Sequence, residues 1–202
     1  MTKYFVSGIG TGIGKTLISA ILTEKLHADY WKPIQSGDLE RSDSKAVASL
    51  ISNNTTFIHP ESYRLTQPLS PHLSARLDGI SIEIDKMVLP ETQNHLIVEG
   101  AGGLMVPLND NDLIIDFIKK LKLEMILVSE NYLGSINHTL LSLAMLKLYN
   151  IPVKGIIFNG KENEETQNYI LNYTGISLLG VVPRMTHIDK QAIVTSGELI
   201  RL

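Results

Sequence analysis

The chain has 202 residues and a formal net charge of −3, with 18 lysine and arginine residues against 21 aspartate and glutamate residues. Hydrophobic residues make up 44% of the chain and charged residues 19%, a composition that supports a sizeable core and excludes intrinsic disorder. The slight acidic excess argues against a general electrostatic grip on nucleic acid, and the absence of cysteine excludes disulfides, thiolate metal sites and cysteine nucleophiles.

No apolar run approaches the ~18 residues that a membrane-spanning helix requires, and the N-terminal apolar run is too short for a signal peptide. The length fits one generous domain. We therefore expect a single domain over residues 1–202, in a cytoplasmic protein that binds neither nucleic acid nor a membrane.

Strand–helix alternation dominates the chain. Apolar runs without polar alternation predict strands buried on both faces, at Tyr4–Ser7, Tyr30–Lys32, Leu96–Glu99, Met125–Ser129, Gly155–Phe158 and Leu179–Val182. Helical spacing of apolar residues follows at 17–26, 47–51, 113–121 and 140–148, and the broad apolar arc of the last predicts burial on more than one side. The segment from Pro60 to Asp85 is typical of a loop with a short helix. This pattern predicts an α/β fold with a mostly parallel central sheet and helices on both faces.

The strongest motif is a glycine-rich run, Gly8-Ile9-Gly10-Thr11-Gly12-Ile13-Gly14-Lys15-Thr16, between the first strand and an amphipathic helix. It is a P-loop with one residue more than the common pattern, and it does not fit the dinucleotide fingerprint. Lys15 is expected to reach the β- and γ-phosphates of a nucleotide, and the Thr16 hydroxyl to bind Mg²⁺. The alternative is a glycine-rich turn with an incidental lysine.

Charged residues follow the next predicted strands. Lys32 could offset charge on a transferring phosphoryl group, or it could be a solvated loop lysine. Asp43 precedes a helix, where an N-cap is its simplest role, although a metal-binding role can coexist with capping. Glu99 ends a buried strand beside the expected P-loop, where it could bind Mg²⁺ or lie at the surface.

Two further polar turns could hold substrate. Ser70-Pro71-His72 could bind a polar substrate, although alone it is only a turn. The run Gly134-Ser135-Ile136-Asn137-His138 opens a helix and could be an anion site or a plain helix start. The histidines have no spacing typical of a metal site.

These motifs, together with Lys32-Pro33-Ile34-Gln35-Ser36-Gly37 and Val98-Glu99-Gly100-Ala101-Gly102-Gly103, occur in the order that resembles the dethiobiotin synthetases, over about Lys3 to Pro183. The resemblance implies a P-loop NTPase-type fold and a homodimer. It implies MgATP-dependent closure of a cyclic urea on 7,8-diaminononanoate with CO₂. A carbamate and a carbamic–phosphoric anhydride would be the intermediates.

The resemblance also implies residue roles. Lys15 and Lys32 would be catalytic, and Thr16, Asp43 and Glu99 would bind Mg²⁺. Substrate contacts would come from Ser36, Ser70, Pro71, His72 and Asn137. In the homodimer the substrate carboxylate would reach the partner subunit, where the segment 134–138, with Tyr169, would bind it. Nucleotide contacts fall to Gly12, Ile13, Gly14, Lys15, Thr16, Leu17, Asp43, Glu99, Gly100, Ala101, Gly102, Asn159, Gly160, Pro183, Arg184 and Met185.

The chain departs from the family pattern at three places. Gly12 stands where an acidic residue is frequent, Asn159-Gly160 where Asn-Asp is frequent, and the residues after Pro183 differ. One alternative function is a partner-regulated P-loop ATPase of the partition or metal-insertion type. Such ATPases usually carry a second lysine early in the loop, where this chain has Gly10. A cobalamin-pathway amidotransferase would need a cysteine, and the chain has none.

Overall fold

The computed structural model describes residues 1–202. The strands are β1 (Lys3–Gly8), β2 (Asp29–Trp31), β3 (Ile34–Ser36), β4 (Ile58–His59), β5 (Tyr63–Leu65), β6 (Leu96–Gly103), β7 (Glu124–Glu130), β8 (Val153–Gly160) and β9 (Leu178–Pro183). The helices are α1 (Lys15–Leu26), α2 (Asp43–Leu50), α3 (Pro71–Leu77), α4 (Ile114–Leu121), α5 (Ser135–Leu148), α6 (Glu164–Thr174) and α7 (Lys190–Gly197). No helix is both long and apolar enough to cross a membrane.

Seven strands form one sheet in the order β4-β2-β6-β1-β7-β8-β9, and every pairing in it is parallel. Along β1 the side chains alternate between two core clusters, with Tyr4 and Val6 in one and Phe5 in the other. Residues of α1, α2 and α7 belong to the first cluster, and residues of α4, α5 and α6 to the second. The predicted α/β fold with helices on both faces is confirmed.

All six predicted strands are present, although β2 ends at Trp31, so that Lys32 lies just beyond it. The expectation that Glu99 ends its strand is wrong, because β6 continues past Glu99 to Gly103. The sequence missed β3, β4 and β5, which have only two or three residues. The three-residue β2 was predicted only from its aromatic pair Tyr30-Trp31. The segment from Pro60 to Asp85 contains the expected short helix, α3, but it also contains β5. β5 pairs with β3 in a separate two-stranded sheet.

The burial predicted for α5 is wrong for the single chain. Leu141 and Leu148 are 57% and 69% exposed, and Leu133, just before the helix, is fully exposed. Within α5 only Ser135, Thr139 and Leu146 are buried. The broad apolar arc thus leaves one flank of the molecule with a row of uncovered leucine side chains.

Candidate functional site

A cleft of about 650 Å³ opens at the carboxyl ends of β1 and β6. In the sheet order, β2 and β6 lie on one side of β1, and β7, β8 and β9 lie on the other. The direction of the strand order thus changes at β1, and open α/β sheets usually bind ligands at the carboxyl ends of the strands at such a point. Twelve of the residues singled out from the sequence line the cleft: Gly12, Gly14, Lys15, Thr16, Lys32, Ser36, Asp43, Ser70, Pro71, Glu99, Ala101 and Gly102.

The glycine-rich loop connects β1 to α1, as predicted. Gly12 and Gly14 have φ values of 76° and 87°, which favour glycine, and α1 begins at Lys15 with unpaired backbone N–H groups in its first turn. The Lys15 ammonium donates a 2.7 Å hydrogen bond to the Gly10 carbonyl. Burial, reinforced by the nearby Lys32 charge, lowers the pKa of Lys15 to about 8. An anionic ligand would relieve this unfavourable charging.

Asn159, near the end of β8, holds the glycine-rich loop through a side-chain hydrogen bond. Its side-chain Nδ2 donates a 2.9 Å hydrogen bond to the Ile13 carbonyl. A Cβ atom at Gly14 would lie 2.1 Å from that nitrogen. The absence of a side chain at Gly14 therefore allows the amide to approach the loop backbone.

Lys32 lies in a cage of oxygen atoms. Its ammonium donates to Asp43 Oδ2 at 2.7 Å, Glu99 Oε1 at 2.9 Å and the Gly100 carbonyl at 3.0 Å. The Thr16 hydroxyl also donates to Glu99 Oε1, at 2.9 Å. Lys32 and Glu99 are buried, with 4% and 1% of their surfaces exposed. The reading of Lys32 as a solvated loop residue is therefore wrong, as is the reading of Glu99 as a surface residue.

The cage determines how these groups ionise. Desolvation works to lower the pKa of Lys32, but the charges of Glu99 and Asp43 outweigh it and raise that pKa. Desolvation works to raise the pKa of Asp43, but the charge and hydrogen bond of Lys32 lower it. Lys32 therefore stays cationic and Asp43 anionic near neutral pH.

The cluster fits a magnesium ion. Asp43 and Glu99 each contact one cationic group, the Lys32 ammonium, and the Thr16 hydroxyl lies on the same Glu99 oxygen. No group of three or more histidine, cysteine, aspartate or glutamate side chains suitable for a metal exists in the structure. Mg²⁺ needs only one or two carboxylates because it keeps several of its waters. Thr16, Asp43 and Glu99 could therefore hold it.

The capping role expected for Asp43 is wrong. Asp43 is the first residue of α2, and the N-cap is Ser42, whose hydroxyl accepts a 3.4 Å hydrogen bond from the Lys45 N–H. Since Ser42 caps the helix, the Asp43 carboxylate is free to face Lys32.

The opposite wall of the cleft comes from β3 and the loop before α3. Ser36 and Ser70 line it, and the Ser36 hydroxyl is buried without a hydrogen-bond partner. Nδ1 of His72 is also buried without a partner, although His72 itself does not line the cleft. Unpaired buried polar atoms of this kind are suited to a polar ligand.

The remaining residues singled out from the sequence lie outside the cleft. Asn137 lines a separate cavity of about 880 Å³ at the start of α5, together with Tyr169 and Lys161. Gly160 and Pro183 are paired between β8 and β9, and Met185 packs against the core. Leu17 and Arg184 do not line the cleft either.

Gln35 and Tyr30 also organise the site, although no motif in the sequence assigns them a role. Gln35 accepts a hydrogen bond from the Asp43 N–H at 3.1 Å and donates to the Gly37 carbonyl at 3.0 Å, so it ties β3 to α2. Tyr30 donates to Glu99 Oε2 at 2.8 Å. Tyr30 is two residues before Lys32 in the predicted strand Tyr30–Lys32, and side chains two residues apart in a strand lie on the same face. This spacing could have predicted that the Tyr30 side chain lies near that of Lys32.

Comparisons with known proteins agree with this geometry. The sequence profile of the AAA domain family matches residues 2–192. The chain is 51% identical to the ATP-dependent dethiobiotin synthetase BioD of Cytophaga hutchinsonii, over 96% of this chain and 94% of that one. It is 47% identical to the protein of the same name from Christiangramia forsetii, over 98% and 96%. The cell division ATPase MinD of Pyrococcus furiosus superposes with a TM-score of 0.60 over 98% of both chains, but at 13% identity it shares only the fold.

Proposed function

This chain belongs to the AAA domain family and to the ATP-dependent dethiobiotin synthetases, and from that membership we propose how its cleft performs the reaction. The enzyme is an ATP-dependent ligase of biotin biosynthesis that forms carbon–nitrogen bonds. Its proposed substrates are 7,8-diaminononanoate, CO₂ and ATP. The observation that carries the proposal is one cleft that joins a phosphate loop, a lysine–carboxylate cluster and a polar wall.

In the proposed reaction, the nitrogen of one amine forms a bond to the carbon of CO₂ and loses a proton to solvent, which gives a carbamate. A carbamate oxygen forms a bond to the γ-phosphorus of ATP while the bond from that phosphorus to the β,γ-bridging oxygen breaks, releasing ADP. The second amine then attacks the carbamoyl carbon, loses a proton and expels inorganic phosphate, which closes the urea ring. Holding both amines in place makes this closure intramolecular, which favours it strongly.

The chain's own residues support these steps. The N–H groups of the phosphate loop and the start of α1 would bind the phosphates. Lys15 would turn from the Gly10 carbonyl toward the β- and γ-phosphates. Lys32 would neutralise charge shared between the γ-phosphoryl group and the carbamate. Ser36 and Ser70 would contact the diamine end of the substrate.

We propose Mg²⁺ as the cofactor, held by Thr16, Asp43 and Glu99. When bound, it would neutralise phosphate charge and orient the γ-phosphoryl group. The two carboxylates that now contact Lys32 support this assignment. In the magnesium-bound enzyme they would be shared with the metal, which leaves the Lys32 ammonium available for the carbamate.

We propose a homodimer in which the cavity beside Asn137 binds the carboxylate of substrate held by the partner subunit. The exposed leucines of the α5 flank, Leu133, Leu141 and Leu148, support burial against a second copy. Lys161 lines the same cavity, as does the acidic Glu162, and the Lys161 ammonium would pair with the substrate carboxylate.

Hybrid dimers test the shared site. Lys15→Met and Asn137→Ala variants should each be nearly inactive alone. Mixed dimers should recover activity, because one of their two sites then combines an intact phosphate loop with an intact carboxylate cavity. No recovery in hybrids that sedimentation shows to be dimers would contradict a site shared between subunits.

The decisive assay supplies MgATP and bicarbonate with and without 7,8-diaminononanoate. Phosphate release and the cyclic urea are followed by colorimetry and mass spectrometry. We expect phosphate release to depend on the diamine and to match urea formation one to one. Diamine-independent hydrolysis without urea would favour the regulatory ATPase. That alternative is not favoured, because identity to the synthetases is 44–51% and the likeness to MinD is one of fold alone.

A further inference from the structure

The two oxygens of the Glu99 carboxylate have different partners. Oε1 accepts hydrogen bonds from the Thr16 hydroxyl and the Lys32 ammonium, both of which line the cleft. Oε2 accepts a 2.8 Å hydrogen bond from the Tyr30 hydroxyl, and Tyr30 does not line the cleft. The carboxylate therefore offers one oxygen to a ligand and has the other committed to the protein interior.

Tyr30 holds Oε2 firmly. Its side chain is fully buried in β2, within the core cluster that includes Val6 and Ile97. β2 pairs with β6, so Tyr30 lies opposite Ile97, two residues before Glu99. A carboxylate oxygen only accepts, so the Tyr30 hydroxyl is the donor in this hydrogen bond.

The number of oxygens that a carboxylate offers bears on the choice of metal. Mg²⁺ is small and demands near-octahedral geometry, so it suits carboxylates that contribute one oxygen each. Ca²⁺ accommodates six to eight oxygens and readily takes both oxygens of one carboxylate. A site that withholds the second oxygen therefore disfavours Ca²⁺.

We propose that Tyr30 is a specificity-determining residue that restricts Glu99 to a single ligating oxygen and thereby selects Mg²⁺ over Ca²⁺. The inference rests on the proposed function, because it assumes that the cleft binds a metal–nucleotide complex. Tyr30 acts through Glu99 and has no contact with substrate, so it is a positioning residue. It does not change the charge of the site, and its effect is on the kind of ion accepted.

The test compares wild type with Tyr30→Phe, which removes one oxygen atom. Calorimetry measures binding of the Mg²⁺ and Ca²⁺ complexes of the β,γ-imido analogue of ATP, without diamine or turnover. We expect wild type to prefer the Mg²⁺ complex and Tyr30→Phe to lower this preference about tenfold. Tyr4→Phe is the matched control, because Tyr4 is a buried tyrosine of the same core cluster that does not line the cleft.

The outcomes distinguish failure of the inference about Tyr30 from failure of the proposed function. If Tyr30→Phe weakens both complexes equally or leaves their ratio unchanged, Tyr30 only supports the site and the inference is wrong. If neither complex binds to wild type, the proposed function fails as well. If wild type forms the urea while the ratio is insensitive to Tyr30, only the inference fails.

Infrared difference spectra of the metal complexes give a second test that leaves Tyr30 unchanged. A carboxylate bound to a metal through both oxygens has a smaller separation between its two stretching bands than one bound through a single oxygen. We expect the wild-type Ca²⁺ complex to keep the wide separation. A narrow separation that persists in Asp43→Asn, which lacks the other proposed carboxylate ligand, would show that Tyr30 does not restrain Glu99.

Discussion

Replacing Lys32 with methionine removes a buried positive charge while keeping an apolar side chain of similar length. Lys32 and Glu99 are 4% and 1% exposed, whereas the Asp43 side chain is 32% exposed and partly screened by water. Leaving a buried charge without its partner costs about 3–5 kcal/mol. Because Lys15 lies near both carboxylates, we expect the lower end, about 3 kcal/mol.

In a protein of this length, a loss of about 3 kcal/mol lowers the Tm by roughly 6–12 °C. Circular dichroism melts of wild type and Lys32→Met without ligands measure the difference. Because the pKa of Asp43 is lowered in the fold, its pairing stabilises the protein above the ordinary aspartate pKa and is lost as the pH falls through the lower value. The deficit of Lys32→Met should therefore be full near neutral pH and shrink in acid.

Lys15→Met is the matched control for Lys32→Met. The Lys15 ammonium contacts a carbonyl, and its pKa is lowered, so its loss should leave the Tm unchanged or raise it. Both variants should lose turnover, but only Lys32→Met should lose stability. A wild-type Tm for Lys32→Met at neutral pH, or a deficit that persists unchanged in acid, would refute the view that Lys32 neutralises Glu99 and Asp43.

Three further predictions follow from the cleft. The fold lowers the Lys15 pKa from 10.5 to about 8, so the folded protein releases this proton at a lower pH than the unfolded chain does. The free energy of unfolding of wild type should therefore rise by about 3 kcal/mol relative to Lys15→Met between pH 8 and pH 10.5, as measured by urea unfolding. Asp43→Asn should raise the Mg²⁺ concentration for half-maximal turnover at least about tenfold, and an unchanged titration would remove Asp43 from the metal site. Asn159→Ala removes the donor to the Ile13 carbonyl and should weaken binding of the ATP analogue about fivefold; calorimetry giving the wild-type affinity would contradict this role.

The long strands were predictable because a strand that is buried on both faces consists of a continuous run of apolar residues. β3, β4 and β5 were not, because two or three residues carry no period, and the equally short β2 was predictable only from its aromatic pair Tyr30-Trp31. The spacing of apolar residues shows that α5 is apolar over a broad arc, but whether that arc is buried depends on what surrounds the helix, which the periodicity of one chain does not contain.

The chemistry of the cleft was predictable where it is local and unpredictable where it joins distant segments. The phosphate loop consists of consecutive residues, and Glu99 directly follows a readable apolar run, although β6 itself continues to Gly103. The bond from Tyr30 to Glu99 spans 69 residues and exists only because β2 pairs with β6. Ser42 and Asp43 are both good capping residues, so the sequence could not say which one caps α2 and which one faces the lysine.

The contact between Asn159 and the loop at Gly14 constrains how the chain can vary. A methyl group at position 14 would collide with the Asn159 amide, and φ at that position already disfavours any side chain. Shortening residue 159 would clear the space but leave the Ile13 carbonyl without its donor. A larger residue at position 14 and a shorter residue at position 159 are therefore each unfavourable, and the second substitution does not compensate for the first.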